Sequence, residues 1–393
     1  MSIIEYTLMN KNRPVLDFQY DLETHSIAKI TDTYHLDFAP LTVFNPGGEV
    51  ERKRVNDWWK NRAIPASRAQ INQLKDKLKI ESTLVLAEKN FGLSLSDRYW
   101  INDPADPQKW DDINFFDNDF SDDLGLITLG QDSSSWKDHP DLMSPNSTVD
   151  GALDKKWVIQ GGKRLLVKSG SGFINQEVYN EVIATRLHRR LLQEQEYVSY
   201  DFYSEANRTY CACENMLRDD EELIPAWHLI TSNKKPSSIN DYQFLVSCYE
   251  KLGLANITEA LSKMFVCDYL LGNFDRHWRN FGVIRNVETL EFTRIAPIFD
   301  TGNSLWCDKP SLDAPIDYEY EAKPFAHTKD PEKQLAILQD YGWIDVSALE
   351  GFAQEAAEIL RQNPNMPPVR IRKIEAELER RIKRVLSVLR NAK

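Results

Sequence analysis

Between Gly272 and Val283 the chain reads GNFDRHWRNFGV, which crowds Asp275, Arg276, His277 and Asn280 between apolar flanks. The apolar run from Thr258 that closes at Gly272 reads as a helix, and a short strand is expected from Phe281. Asp275 and Asn280 therefore fall on the connection. A second apolar run, Phe292 to Ile295, leads into Ala296-Pro-Ile-Phe-Asp300 and then Thr301-Gly302. Two strands in a hairpin would set Asn280 at the start of one and Asp300 at the end of the other. A side-chain amide beside a carboxylate suits a hard divalent cation, and Mg2+ takes few protein ligands and the rest from water and phosphate. Asp275, off the metal, is placed to accept a proton from an attacking hydroxyl. His277 is a second candidate on the same loop, less well placed than Asp275 for that task.

These parts make the layout of phosphoryl transfer, where catalysis is mostly positioning and charge neutralisation around the γ-phosphate. Such a site also needs a cation on the nucleotide and a cover over its phosphates. Trp157-Val-Ile-Gln, Gly161-Gly162 and Arg164-Leu-Leu-Val-Lys168 read as a β-hairpin with a tight primed turn, and Lys168 ends its second strand. The next amphipathic segment, Val178 to Leu191, carries Glu181, which is placed to orient Lys168 as an ion pair. The stretch Thr148 to Lys155, with Gly151 in it, precedes the hairpin and is placed as the cover. Glu214-Asn215-Met216, after the strand that begins at Tyr210, is placed as a hinge whose backbone reads an adenine edge. Any one of these residues has a plain structural explanation; the order loop, Lys, Glu, hinge, Asp-x4-Asn, Asp-x-Gly is what carries the reading.

NFDRHWRN (Asn273 to Asn280) followed by APIFD (Ala296 to Asp300) resembles the HipA family of bacterial serine/threonine kinases, as does the Asn180-Glu181 pair. The likeness runs from about Ser147 to the C-terminus. It implies Asp275 as catalytic base, Asn280 and Asp300 as Mg2+ ligands, and Lys168 on the ATP phosphates. It implies a phosphate loop of the form G-x-Q-x-K, met here by Gly151 and Lys155, with Leu153 standing where the Gln is expected. Thr148 and Ser147 are the positional matches for a self-phosphorylated hydroxyl. A protein substrate and a small DNA-binding antitoxin partner, in a toxin–antitoxin setting, are further expectations of the resemblance.

The fold expected is α+β: a bilobal protein-kinase-like arrangement preceded by an extra N-terminal α/β module. Residues 1–130 would form that module, 131–224 a β-rich small lobe with phosphate loop and hinge, and 225–393 a mostly helical large lobe. Asp97 to Asp123 holds nine Asp against Arg98 and Lys109, with Trp and Phe interleaved; it reads as a loop-rich segment anchored by its aromatics. Gln131 to Ser147 reads as a linker. With 393 residues, 27% of them charged, and a net charge of −12, the chain has a soluble globular profile, which argues against direct nucleic-acid or membrane binding by the surface as a whole. Five scattered Cys indicate neither a disulfide framework nor a zinc site, and Cys211 and Cys213 read as buried apolar groups. No secretory pattern opens the sequence and no apolar window spans a bilayer, so the cytoplasm is the expected location. The readings competing with a protein kinase are a small-molecule or lipid phosphotransferase and a nucleotide-binding regulator without catalysis.

Overall fold

Strands β1 (Ile3–Asn10), β2 (Arg13–Asp21) and β3 (Ser26–Thr33) form a meander, and β4 (Tyr99–Asn102) adds to its other side, giving an antiparallel sheet ordered β3-β2-β1-β4. The computed structural model describes residues 2–391 except 46, 66–67, 69–70, 130–135, 152, 310–319 and 339. Register sets Leu8 opposite Leu16 and Tyr20 opposite Ile27, so these side chains and Phe18 share one face by the period of two. That face packs on α1 (Arg52–Lys60) through Val55 and Trp59, and the Trp59 indole donates to the Tyr20 hydroxyl at 3.0 Å. Two short helices, α2 (Ile71–Leu78) and α3 (Leu84–Lys89), follow before β4, and two more, α4 (Trp110–Ile113) and α5 (Asp123–Thr128), after it. The acidic segment is held by its rings: Trp100, Trp110, Phe115 and Phe116 are buried.

The second sheet joins β5 (Lys155–Gln160), β6 (Lys163–Lys168), β7 (Asp201–Glu205) and β8 (Arg208–Glu214) in the antiparallel order β5-β6-β8-β7. Gly161 and Gly162 both have positive φ, 60° and 77°, as the two-residue primed turn of this hairpin demands. Helix α6 (Gln176–Leu191) packs against this sheet. Sequence periodicity suggests an amphipathic α6, yet every residue from Gln176 to Thr185 is buried. Its polar residues in that stretch face protein rather than water.

The remaining chain is mostly helical but encloses a third antiparallel sheet, ordered β11-β10-β9, from β9 (Glu221–Pro225), β10 (Gly282–Asn286) and β11 (Phe292–Ile295). Residues 221–224 therefore pair with the half that the sequence divides off at 225. Helices α7 (Ala226–Ser232), α8 (Asp241–Glu250) and α9 (Ile257–Leu271) lie between β9 and β10; α10 (Pro331–Ala336), α11 (Phe352–Arg361) and α12 (Pro368–Asn391) follow β11. One apolar cluster runs from Leu187 of α6 through Phe265 and Leu270 of α9 to Leu360 of α11 and Leu378 of α12.

The N-terminal residues touch both later sheets. Arg98, stacked on Phe116, donates to the carbonyls of Arg218 and Asp219 just before β9. Arg285 of β10 donates to the Tyr99 hydroxyl at 3.0 Å, and Asn215 after β8 donates to the Leu95 carbonyl at 3.1 Å. Of the stretch read as a linker, residues 131–135 lie outside the described residues. Its end is buried instead of solvated: Ser144, Asn146 and Ser147 have no exposure, and Asn146 bonds both backbone groups of Trp157 in β5.

Candidate active site

Lys168 ends β6 with its ammonium pointing into protein. Nζ donates to Glu181 Oε1 at 3.0 Å, to Asp300 Oδ1 at 2.8 Å and to the Tyr200 hydroxyl at 3.0 Å. A buried ammonium is tolerated only when its donors are matched in this way. Burial opposes its charge, but the Asp300 and Glu181 carboxylates outweigh burial and hold the Lys168 pKa well above the usual range. Asp300 shows the converse. Burial opposes its ionisation, while the ammonium groups of Lys168 and Lys155 hold its carboxyl well below the ordinary value. Asp300 adopts φ +57°, a left-handed conformation that a non-glycine residue keeps only when its surroundings impose it. The imposition is visible: Glu181 Oε2 accepts from the Thr301 N–H at 3.1 Å, and the Asn180 amide donates to the carbonyls of Gly302 and Ser304. These bonds account for the burial of Asn180 and Glu181 in α6.

Arg276 fastens that turn to the Asp275–Asn280 loop. It has no solvent exposure, and all five of its N–H donors are used within the protein. Two go to Asp268 at the end of α9, two to the carbonyls of Asn280 and Phe299, and one to the Thr301 hydroxyl. The Asn280 amide donates to the Asp275 carbonyl at 3.0 Å, leaving its oxygen for another ligand. Asp275 is held at both oxygens: the Asn303 amide donates to Oδ2 at 2.9 Å and Lys323 Nζ to Oδ1 at 2.8 Å. His277 stays within the loop, its Nδ1 accepting from the Arg279 N–H.

The stretch before β5 packs against the N-terminal residues. Arg68, buried, donates to the carbonyls of Val149 at 2.8 Å and Gly151 at 2.9 Å. Gly151 has φ +99°, and a Cβ there would lie 2.3 Å from Lys155 Nζ. The Lys155 ammonium makes no hydrogen bond among the described residues, and burial pulls its pKa down to about 8, with Asp300 opposing the effect and Lys168 and Arg68 adding to it. Ser147 and Thr148 are buried, their hydroxyls donating to the carbonyls of Leu142 at 2.8 Å and Leu93 at 2.6 Å. A cavity of about 480 Å3 opens beside this loop, bounded by Lys60, Asn61 and Thr83 on one side and by Asp150, Gly151 and Arg279 on the other. Beyond β8, the exposed Glu214 pairs with Lys163, and the backbone N–H and C=O of Met216 enter no hydrogen bond among the described residues.

Lys168, Glu181 and Asp300 are thus in direct contact, and Asp275 and Asn280 are joined to them through Arg276. Sequence reasoning passes over Arg276, Asp268, Asn303, Lys323 and Arg68. An Asp inside the apolar end of α9 is the signal that a buried cation must be near. Among the described residues no group of three or more His, Cys, Asp or Glu gathers as a metal site, and no helix is long and apolar enough to cross a membrane. What Asp300 and Asn280 offer is one partly exposed carboxylate and one amide oxygen, a donor set suited to a hard cation completed by phosphate and water.

The mixed α+β chain matches no family model. Over 106 residues, 25% of the chain, it is 31% identical to the serine/threonine-protein kinase CtkA of Helicobacter pylori strain J99. That region is 32% of the relative, so the chain spans about a third of its length. The crystal structure of a Helicobacter pylori proinflammatory kinase CtkA aligns with 58% of this chain and 90% of that one, at 18% identity and a TM-score of 0.41.

Proposed function

We propose that the chain is a serine/threonine protein kinase of the HipA type, with ATP held between the second sheet and the helical half as in a bilobal kinase. The observation that carries this reading is the Lys168–Glu181–Asp300 contact, tied by one buried guanidinium to the loop bearing Asp275 and Asn280. The 31% identity to a serine/threonine kinase over part of the chain supports it. Lys168 binds the nucleotide phosphates while Glu181 fixes its direction. Lys155 and the Gly151 turn close over the phosphates from the other side. The free backbone groups of Met216 take the adenine edge, with Glu214 flanking them. Asn280 and Asp300 would hold Mg2+, which when bound neutralises phosphate charge and fixes the geometry of the transferred group. Asp275 receives the acceptor hydroxyl's proton, and the cavity at Gly151 and Arg279 gives a polypeptide acceptor its approach.

Self-phosphorylation at Thr148 or Ser147 belongs to the same reading. Both hydroxyls are buried and committed, so the turn must leave its seat, and break the Arg68 contacts, before either accepts phosphate. A radiolabelled-ATP assay on purified protein with cell extract tests the whole proposal. Label should appear on protein with the wild type and be absent with Asp275→Asn. No transfer by the wild type, or equal transfer by Asp275→Asn, refutes it.

A further inference from the structure

Phosphoryl transfer concentrates negative charge where the acceptor oxygen, the γ-phosphoryl group and the base meet, and preorganised cations there contribute strongly to rate. The Asp275 loop supplies none at that point. Arg276 has spent every donor internally, and Arg279 turns to the neighbouring cavity. Lys168 is committed to Glu181, Asp300 and Tyr200. The ammonium that does reach Asp275 comes from 48 residues further along the chain, on Lys323, at 2.8 Å from Oδ1.

A half-exposed ion pair is ordinarily of little consequence. The way this one is mounted sets it apart. Phe325, two residues on, is 1% exposed and sits among Phe265, Trp278 and Tyr242, with ring centroids 5.2, 5.6 and 5.8 Å away. Trp278 belongs to the Asp275 loop itself. The Lys323 carbonyl is held by the Gln334 side chain at 2.9 Å, and the Ala322 N–H by the Lys329 carbonyl at 2.6 Å. The same aromatic cluster therefore anchors both the acid and the cation. Asn303 fixes the other oxygen of Asp275, so the carboxylate has one orientation.

We propose that Lys323 is a catalytic residue of the kinase reading, on which this inference rests: it orients Asp275 and carries positive charge to the phosphoryl group in transfer. In the step, a lone pair of the acceptor hydroxyl oxygen forms the new O–P bond. The bond from the γ-phosphorus to the bridging oxygen breaks, its electron pair staying on the departing ADP. The hydroxyl proton passes to the Asp275 carboxylate. Lys323 stays protonated throughout, its donors reaching Asp275 and a γ-phosphoryl oxygen.

The experiment compares wild type, Lys323→Met, Lys323→Arg and Asp275→Asn for steady-state transfer and for Mg·ATP binding by calorimetry. Lysine acetylation at Lys323 is followed by mass spectrometry in the wild type and Asp275→Asn. Lys323→Met should lower kcat on the order of 100-fold while KM for ATP and the binding constant stay within about threefold. Lys323→Arg should recover about tenfold of that loss. Lys323 should acetylate more slowly in the wild type than in Asp275→Asn, and more slowly again with Mg·ATP. An active wild type with an inactive Asp275→Asn, but full kcat in Lys323→Met, overturns this inference alone; so does unchanged acetylation in Asp275→Asn. A kcat above wild type in Lys323→Met overturns it by making the contact a restraint. A wild type that transfers no phosphate removes the kinase reading and this inference with it.

Discussion

Lys168 and Lys155 lie on adjacent antiparallel strands and in register with one another, yet their surroundings are opposite. Lys168 is matched by two carboxylates and a hydroxyl, and its charge is locked in. The Lys155 ammonium rests against a glycine with no hydrogen-bond partner among the described residues, and its pKa falls to about 8. One cation is part of the folded structure's own charge balance. On the kinase reading proposed above, the other would meet its anion only when a nucleotide binds. Stability and ligand binding would then be divided between two lysines of one hairpin.

The division breaks if both substitutions have the same effect. Lys168→Met leaves the buried Glu181 and the partly exposed Asp300 without their shared cation. It should cost about 3 kcal/mol of stability, read from the urea midpoint, and lower phosphoryl transfer on the order of 1000-fold. Lys155→Met should leave the midpoint unchanged or raise it, since an unmatched charge is removed, and should weaken Mg·ATP binding roughly tenfold in calorimetry.

Titration sharpens the same contrast. Lys155 is depressed to about 8, against about 10.4 in an unfolded chain. Below pH 8 both states hold the proton and the burial penalty is fully present. Between the two values the unfolded state binds more protons, so stability rises with pH through that window. Nucleotide affinity should move the other way, declining above pH 8 in the wild type and staying flat in Lys155→Met. The smallest effect belongs to Tyr200→Phe, which removes one of three Lys168 partners and leaves both carboxylates in place. About 1 kcal/mol of stability should be lost, with transfer reduced only a few-fold.

How far the sequence foretold this depends on distance along the chain. The Gly161-Gly162 hairpin, α6 with Glu181, and the end of α9 at Gly272 are written locally, in turn residues and in the spacing of apolar side chains. Strand β4 was not legible because it is four residues inside an acidic stretch, and its pairing with β1 is what makes it a strand. Strand β7 lies at a sheet edge with two of its five residues half-buried and none fully buried, so no alternation marks it. The grouping of Lys168, Glu181 and Asp300 was suggested by residue order alone. The direction of Arg276 was not, since whether a guanidinium in a polar loop faces water or protein is decided by Asp268 and by carbonyls up to 23 residues away. Arg68 and Lys323 reach their partners across 83 and 48 residues, with no local pattern to announce them.

Arg98, Leu95 and Tyr99 lie within five consecutive residues of the N-terminal region, and between them they hold the passage from β8 to β9 at Asn215, Arg218 and Asp219 and strand β10 at Arg285. Those few bonds tie the stretch of chain that connects the second sheet to the third onto the N-terminal residues. On the kinase reading proposed above, the opening that a nucleotide would enter is braced from outside the cleft, by a splint that would have to flex whenever its two walls did.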